Sequence, residues 1–392
     1  MIKEAENHFR IEAIHYGTGN PVIVEIRNGF IERIDESEKV NGSNLFIAPG
    51  LIDNQINGYA GVDFSSDSLR EEDILKAAKA IWSDGVTSFF PTLITNSNER
   101  LLKNFRILSN AVNGNSELCD SIPGFHLEGP YISPVEGYRG CHPEKYIRKP
   151  SWEEFSAYQM AAGGNIREVT LAPEIDGAMD FMKKCTREGI ITALGHTDAT
   201  AAQVLEAVGC GARLSTHLGN GAANFIHRHN NPIWPQLAND LLTPTIIADG
   251  HHLLPEEIQV FYKVKGPQNL ILTSDVIFLA GMAPGKYTFL ESEVILTDDG
   301  LLYNPLLNCL AGASFPLKKG VENIMNFTGC SLTNAINMAS RNVADIFDLN
   351  DRGKLVSGIR ADLILFERDG NRMIIRKTWI RGRQVFSKEN LP

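Results

Sequence analysis

The sequence predicts an α/β protein: a TIM-like (β/α)8 barrel accompanied by a small β-sandwich built from both chain ends. Three observations carry this. Between residues 49 and 350, short apolar runs alternate with amphipathic runs of helical period, the pattern of parallel strands with outer helices. Several of those apolar runs end in a histidine or a carboxylate, and a barrel collects its chemistry from strand ends on one rim. Residues 1–48 and 351–392 read differently, as strands separated by glycine and asparagine turns.

Length and composition agree with that plan. A barrel takes about 250 residues, and the 392 present leave enough for an attached sheet. The composition is globular, with 43% hydrophobic residues. A formal charge of −10 argues against a broad nucleic-acid surface. No run approaches the roughly 18 apolar residues of a membrane span, and no basic-flanked apolar leader is visible, so no membrane association is expected. The six cysteines lack CxxC spacing, which points to reduced thiols in a cytoplasm.

At the N-terminal end FRIEAIHYG, PVIVEIRNG and FIERIDES read as strands, and ADLILFE, RMIIRKTWIRG and RQVFS match them at the other. The two ends are expected to pair into one sheet beside the barrel. Pro49-Gly50 turns the chain, and Leu51-Ile52-Asp53 opens the first barrel strand. Helix, strand and helix follow in LREEDILKAAKAIWSDG, VTSFFPTLIT and NSNERLLKNFRILSNAV. Thr92 and Thr95 sit at a strand end, where either bracing of a site or local packing explains them.

The stretch from Ala193 to Asn220 organises the middle. A strand ends in His196, an amphipathic helix follows, and a second strand ends in His217. One βαβ step therefore places two imidazoles on neighbouring strand ends. Phe125-His126-Leu127-Glu128 delivers a carboxylate at the end of another strand before Gly129-Pro130 stops it. Glu128, His196 and His217 make a metal-ligand set that leaves a position for water or substrate, and it suits zinc or iron. Glu174 is left out of that set and is expected to cap the turn after it.

Later segments add further candidates. Asn220 and Gly221 offer backbone amides, and Arg228 a planar fork, for a phosphate group. Asn269-Leu270-Ile271-Leu272-Thr273-Ser274-Asp275 is another apolar run ending in a carboxylate, placed for general base work. The helices Pro316 to Asn326 and Thr333 to Ile346 are expected to close the barrel.

Five ordered motifs carry a resemblance over essentially the whole chain: APGLIDNQING, HLEGP, GHT, THLGN and ADGHH. They resemble the amidohydrolase superfamily and, within it, the N-acetylglucosamine-6-phosphate deacetylase family. The resemblance implies hydrolysis of N-acetyl-D-glucosamine 6-phosphate to the amine and acetate in amino-sugar catabolism. Superfamily members usually carry His-x-His at the end of the first strand, whereas this chain has Gln55 and Asn57. That replacement implies one divalent metal per subunit, with Gln55 and Asn57 bracing the site instead of binding an ion. The resemblance further implies that Asp275 is base and then acid, and that His252 polarises the carbonyl in preference to its neighbour His251. It makes His142 a substrate contact and Leu310, Ala311 and Gly312 a loop of backbone contacts to the sugar. It also sends Arg228 to the phosphate of a neighbouring subunit, which implies a homodimer.

Where the family reads Thr-Asp-Ala, this chain has Ser274-Asp275-Val276, followed by Ile277, Phe278 and Leu279. The galactosamine epimer therefore stays open as substrate. Another amidohydrolase, acting on an N-acyl amino acid or cyclic amide, would keep the metal set but have no use for Arg228. A silent scaffold would have lost ligands that this chain retains.

Overall fold

The computed structural model describes residues 8–38 and 44–388. Expectations that fall on residues 1–7, 39–43 and 389–392 lie outside the described residues.

Eight parallel strands run in sequence order around a barrel: β1 (Leu51–Ile56), β2 (Val86–Ile94), β3 (Phe125–Glu128), β4 (Ile166–Leu171), β5 (Ile191–Leu194), β6 (Leu214–Ser215), β7 (Thr243–Ile246) and β8 (Ile271–Leu272). The ring is drawn together beyond β8. There Asp275 N–H donates to Gln55 O (3.1 Å) and Asn57 N–H to Val276 O (2.8 Å). β1 and β2 are buried at every residue. Burial on both faces follows from having helices on one side and the barrel interior on the other, and that interior takes the polar Asp53, Asn54 and Gln55 of β1.

The helices are specified locally. Ser97 caps Asn98–Gly114 by accepting from Arg100 N–H. Thr200 and Gln203 form a reciprocal capping box at the start of Ala201–Gly209, the helix between the two histidine-bearing strands.

The chain ends meet in a seven-stranded sheet. Leu45–Pro49 is its meeting point, antiparallel to Leu363–Asp369 (Ile364 opposite Ala48) and parallel to His8–His15 (Ile14 opposite Phe46). Ile364, Phe366 and Ile375 join the barrel core, while Val24, Leu363 and Trp379 form a second, smaller core. At about 1.5–3 kcal/mol per fully buried side chain, the first face binds the sheet firmly to the barrel.

Two features differ from the sequence reading. Residues 285–310 form a four-stranded antiparallel sheet (Gly285–Phe289, Ser292–Leu296, Leu302–Asn304, Cys309–Leu310) where no strands were expected. Its first turn holds Leu290 and Glu291 at positive φ (49° and 66°) without the Asn-Gly signature of such turns. The helix expected over 333–346 is two helices, Leu332–Met338 and Arg341–Ile346. The break frees Ala339 O to accept Ile52 N–H from β1 at 2.8 Å, a barrel contact that an unbroken helix would forbid. Among the described residues no helix is long and apolar enough to cross a membrane.

Candidate active site

The carboxyl ends of the strands carry the titratable groups. Glu128 closes β3, His196 follows β5, His217 follows β6 and Asp275 follows β8. Each strand leaves the barrel through a tight reversal, and His196, His217 and Asp275 all adopt positive φ (50°, 31° and 51°). Backbone strain of this kind costs about 1–3 kcal/mol per residue and persists where packing over-determines it.

Three of these groups converge. Glu128 Oε1 lies 3.2 Å from His196 Nε2 and 2.9 Å from His217 Nε2. His196 Nδ1 donates to Tyr138 O at 2.9 Å, which fixes the tautomer and turns the lone pair of Nε2 toward the carboxylate. A lone pair facing a carboxylate needs a positive charge between them. The groups respond accordingly: burial alone would push the Glu128 carboxyl up, yet the two histidines and His142 hold it well below the ordinary carboxylate range. Burial works to lower His217, and Glu128 nevertheless raises it. His217 Nδ1 is buried without a protein partner, while its Nε2 faces the Glu128 carboxylate. The three ligand atoms lie within 4.8 Å of one another, and one carboxylate with two imidazoles is a suitable donor set for a divalent metal. The residues present therefore fit a single ion.

Asp275 stands beside this cluster. Gln55 Nε2 (2.9 Å) and Asn57 Nδ2 (2.7 Å) both donate to its Oδ1, leaving Oδ2 as the uncommitted oxygen. Burial first, then the charge of Glu128, pushes its carboxyl up to about 6. The amides at the His-x-His positions thus hold a carboxylate by one oxygen.

His252 lines the same cavity. Its Nδ1 is 2.8 Å from Asp249 Oδ2, while Asp249 Oδ1 accepts the backbone N–H groups of His251 and His252. Burial works against ionisation of Asp249, but His252 brings its carboxyl down to about 2. His251 turns away, its Nε2 3.0 Å from Asp299 O and its ring stacked on Phe315.

The cavity also gathers His142, Asn220, Gly221, Leu310, Ala311 and Gly312. His142 is buried, its Nδ1 2.7 Å from Thr95 Oγ1 and its ring 4.4 Å from that of His196. Burial and His196 bring it down to about 3, so it is neutral at pH 7. Gly221 and Gly312 are glycines for a steric reason. A Cβ on Gly221 (φ 59°) would lie 2.9 Å from His196 Nδ1, and one on Gly312 (φ 76°) 2.6 Å from Ile277 Cγ2.

Arg228 is not brought in. It is exposed, in a turn where His227 Nδ1 accepts from His229 N–H and Asn230 N–H, and it does not line the cavity of its own chain. Glu174 caps the turn after His196, accepting from Thr197 Oγ1 (2.5 Å) and Asp198 N–H (2.7 Å), and not its own turn as expected.

Sequence reading missed Asp249 and the Tyr138 carbonyl, and left the role of Thr95 open. Asp249 carried a usable signal, a carboxylate three residues before His252. Tyr138 O carried none, because a backbone acceptor has no residue signature.

A barrel with a carboxylate, two imidazoles and a further aspartate on its carboxyl rim is the arrangement of a metal-dependent hydrolase, and the model of the amidohydrolase family matches residues 46–385. N-acetylglucosamine-6-phosphate deacetylase of Bos taurus is 35% identical over 92% of this chain and 88% of its own. That of Bacillus subtilis is 34% identical over 82% and 81%. The crystal structure of the Thermotoga maritima N-acetylglucosamine-6-phosphate deacetylase superposes with a TM-score of 0.86 at 30% identity, covering 97% of this chain and all of that one. The same TM-score, at 25% identity and equal coverage, is found for a Mycobacterium smegmatis variant in complex with N-acetyl-D-glucosamine-6-phosphate. The chain belongs to the amidohydrolase family and, within it, to the N-acetylglucosamine-6-phosphate deacetylases.

Proposed function

We infer that this chain hydrolyses N-acetyl-D-glucosamine 6-phosphate to D-glucosamine 6-phosphate and acetate, in amino-sugar catabolism. The observation that carries the chemistry is Asp275, gripped at Oδ1 by Gln55 and Asn57, in the cavity that Glu128, His196 and His217 also line. Those last three would hold one divalent ion, zinc in the first instance and iron as the alternative. When bound, the ion supplies Lewis-acid polarisation of the carbonyl and of the attacking water.

Asp275 Oδ2 takes a proton from the water as its oxygen attacks the acetamide carbon. The same carboxyl then delivers that proton to the departing nitrogen, since an amide anion is too poor a leaving group. Burial of Asp275 favours its protonated form and so helps it to carry the proton between the two steps. His252, braced by Asp249, donates from Nε2 to the carbonyl oxygen as negative charge develops there. Neutral His142, held by Thr95, offers its remaining ring nitrogen to the sugar. Asn220, Gly221 and the 310–312 segment supply further contacts to the substrate.

Arg228 binds the phosphate from across a homodimer interface. Its exposure and its absence from its own chain's cavity support this, as does the 96% exposure of nearby Phe225. Six unpaired cysteines suit a reducing cytoplasm.

The decisive measurement is acetate release from N-acetylglucosamine 6-phosphate, its unphosphorylated form and its galacto epimer, with metal content determined on the same sample. Turnover of the phosphorylated gluco compound alone, with about one metal per subunit, is the expected result. Preference for the unphosphorylated sugar would overturn the reading.

A further inference from the structure

Cys141 and Cys309 face each other across the cavity rim with their Sγ atoms 3.1 Å apart. They come from unrelated segments. Cys141 lies in the loop from Gly137 to His142, whose Tyr138 carbonyl fixes His196. Cys309 opens the short strand that runs into Ala311 and Gly312. Both line the cavity, and both are partly exposed, within reach of a small oxidant. Cys141 Sγ is also 3.1 Å from Leu310 O, which holds the two segments in register.

We propose that Cys141 and Cys309 are a modification site, a peroxide-responsive dithiol whose oxidation to a disulfide latches the 137–142 loop to the 309–312 segment and restricts passage through the cavity mouth. Closing from 3.1 Å to the roughly 2.05 Å of a disulfide takes a shift of only about 1 Å. The hydrogen bond from Cys141, followed by the charge of Arg139, holds the Cys309 thiol below its ordinary value despite burial, which suits Cys309 as the first nucleophile. Its thiolate attacks one oxygen of hydrogen peroxide and the O–O bond breaks. The expelled hydroxide takes up a proton as water, and Cys309 becomes a sulfenic acid. Cys141 then attacks the Cys309 sulfur, and the hydroxyl leaves as a second water. Two thiols and one peroxide thus give one disulfide and two waters. A partly exposed disulfide of this kind in a reducing compartment is transient, as a sensor requires.

The test treats the zinc-loaded enzyme with stoichiometric hydrogen peroxide, stops the reaction with catalase, alkylates, and maps the peptides by mass spectrometry. Metal content and acetate release are followed on the same samples before and after dithiothreitol. The expected result is a peptide linking Cys141 to Cys309, two fewer free thiols than the six of the reduced chain, and a several-fold loss of turnover that dithiothreitol restores with metal retained. C141S and C309S, each compared with its own untreated sample, should show neither the link nor the reversible loss. Recovery of both residues alkylated or separately over-oxidised overturns the proposal. A link that leaves turnover unchanged, or a loss that follows metal release, overturns the latch. The peptide readout stands whatever the substrate proves to be, so its failure is distinguishable from failure of the deacetylase reading.

Discussion

The two halves of the active site are built differently. Glu128, His196, His217 and Asp275 hang from strand ends, are almost fully buried, and are held by short hydrogen bonds to neighbours that are themselves buried. Asn220, Gly221 and the 309–312 segment belong to loops and hairpins and are for the most part half-buried, and Arg228, proposed to complete the site from a second subunit, is exposed. The first half takes its precision from the barrel. The second is positioned by glycines that let the chain approach, and at Arg228 by whatever surface covers it. On the proposed reading, reaction chemistry is rooted in the scaffold, and recognition in the parts that can vary around it.

The sharpest way to break that division is to empty the rooted half. Removing the ion with a chelator should take turnover below detection, and returning zinc or iron should restore it, while the fold measured by circular dichroism stays. Substantial activity in fully metal-free protein would detach Glu128, His196 and His217 from the chemistry. Next in size is Asp275→Asn. Asparagine can still accept at Oδ1 from Gln55 and Asn57, so metal content should be unchanged, while kcat falls by about 10²–10⁴-fold for lack of a proton carrier. A near wild-type rate would assign the proton to another group.

The two halves also differed in how legible they were. Strand-end residues could be read because an apolar run followed by a histidine or a carboxylate is a local pattern, and the barrel order turns local patterns into one rim. That logic found Glu128, His196, His217 and Asp275 as a set. It could not find Tyr138 O or the Cys141–Cys309 pair, which depend on loops that meet only in three dimensions. The four-stranded sheet over 285–310 escaped for a related reason: Leu290 and Glu291 make the first turn without a glycine to announce it. The helix break at Ala339 has no glycine or proline beside it, and the carbonyl it leaves free accepts Ile52 N–H from β1.

Arg228→Ala tests the recognition half. A bidentate guanidinium–phosphate contact contributes about 1.5–3 kcal/mol, so kcat/KM for the phosphorylated sugar should fall by about 10–100-fold. The loss should appear in KM more than in kcat, and the unphosphorylated sugar should be indifferent. Equal losses on both substrates would mean that Arg228 supports the fold or the dimer instead.

The smallest expected effect lies beneath the rooted half, in the barrel interior. Glu168 on β4 is fully buried and accepts from Asn54 Nδ2 at 3.1 Å and 3.2 Å. Burial raises its carboxyl to about 8; the charges of Glu128 and Asp53 add to this, and the hydrogen bond from Asn54 opposes it. The folded chain therefore keeps Glu168 protonated at pH values where the unfolded chain has released that proton. Stability from this group is complete below about pH 4.5 and is lost as pH rises through about 8. Glu168→Gln retains the acceptor for Asn54 and removes the titration. Its Tm should decline less than that of the wild type between pH 6 and pH 9, by a few degrees, with kcat on the same metal-loaded protein little changed. Parallel Tm curves would mean that Glu168 is ionised in the folded barrel, with its charge balanced by another member of the polar interior. His126, whose Nε2 lies 4.0 Å away, is the group whose protonation state would then need to be measured.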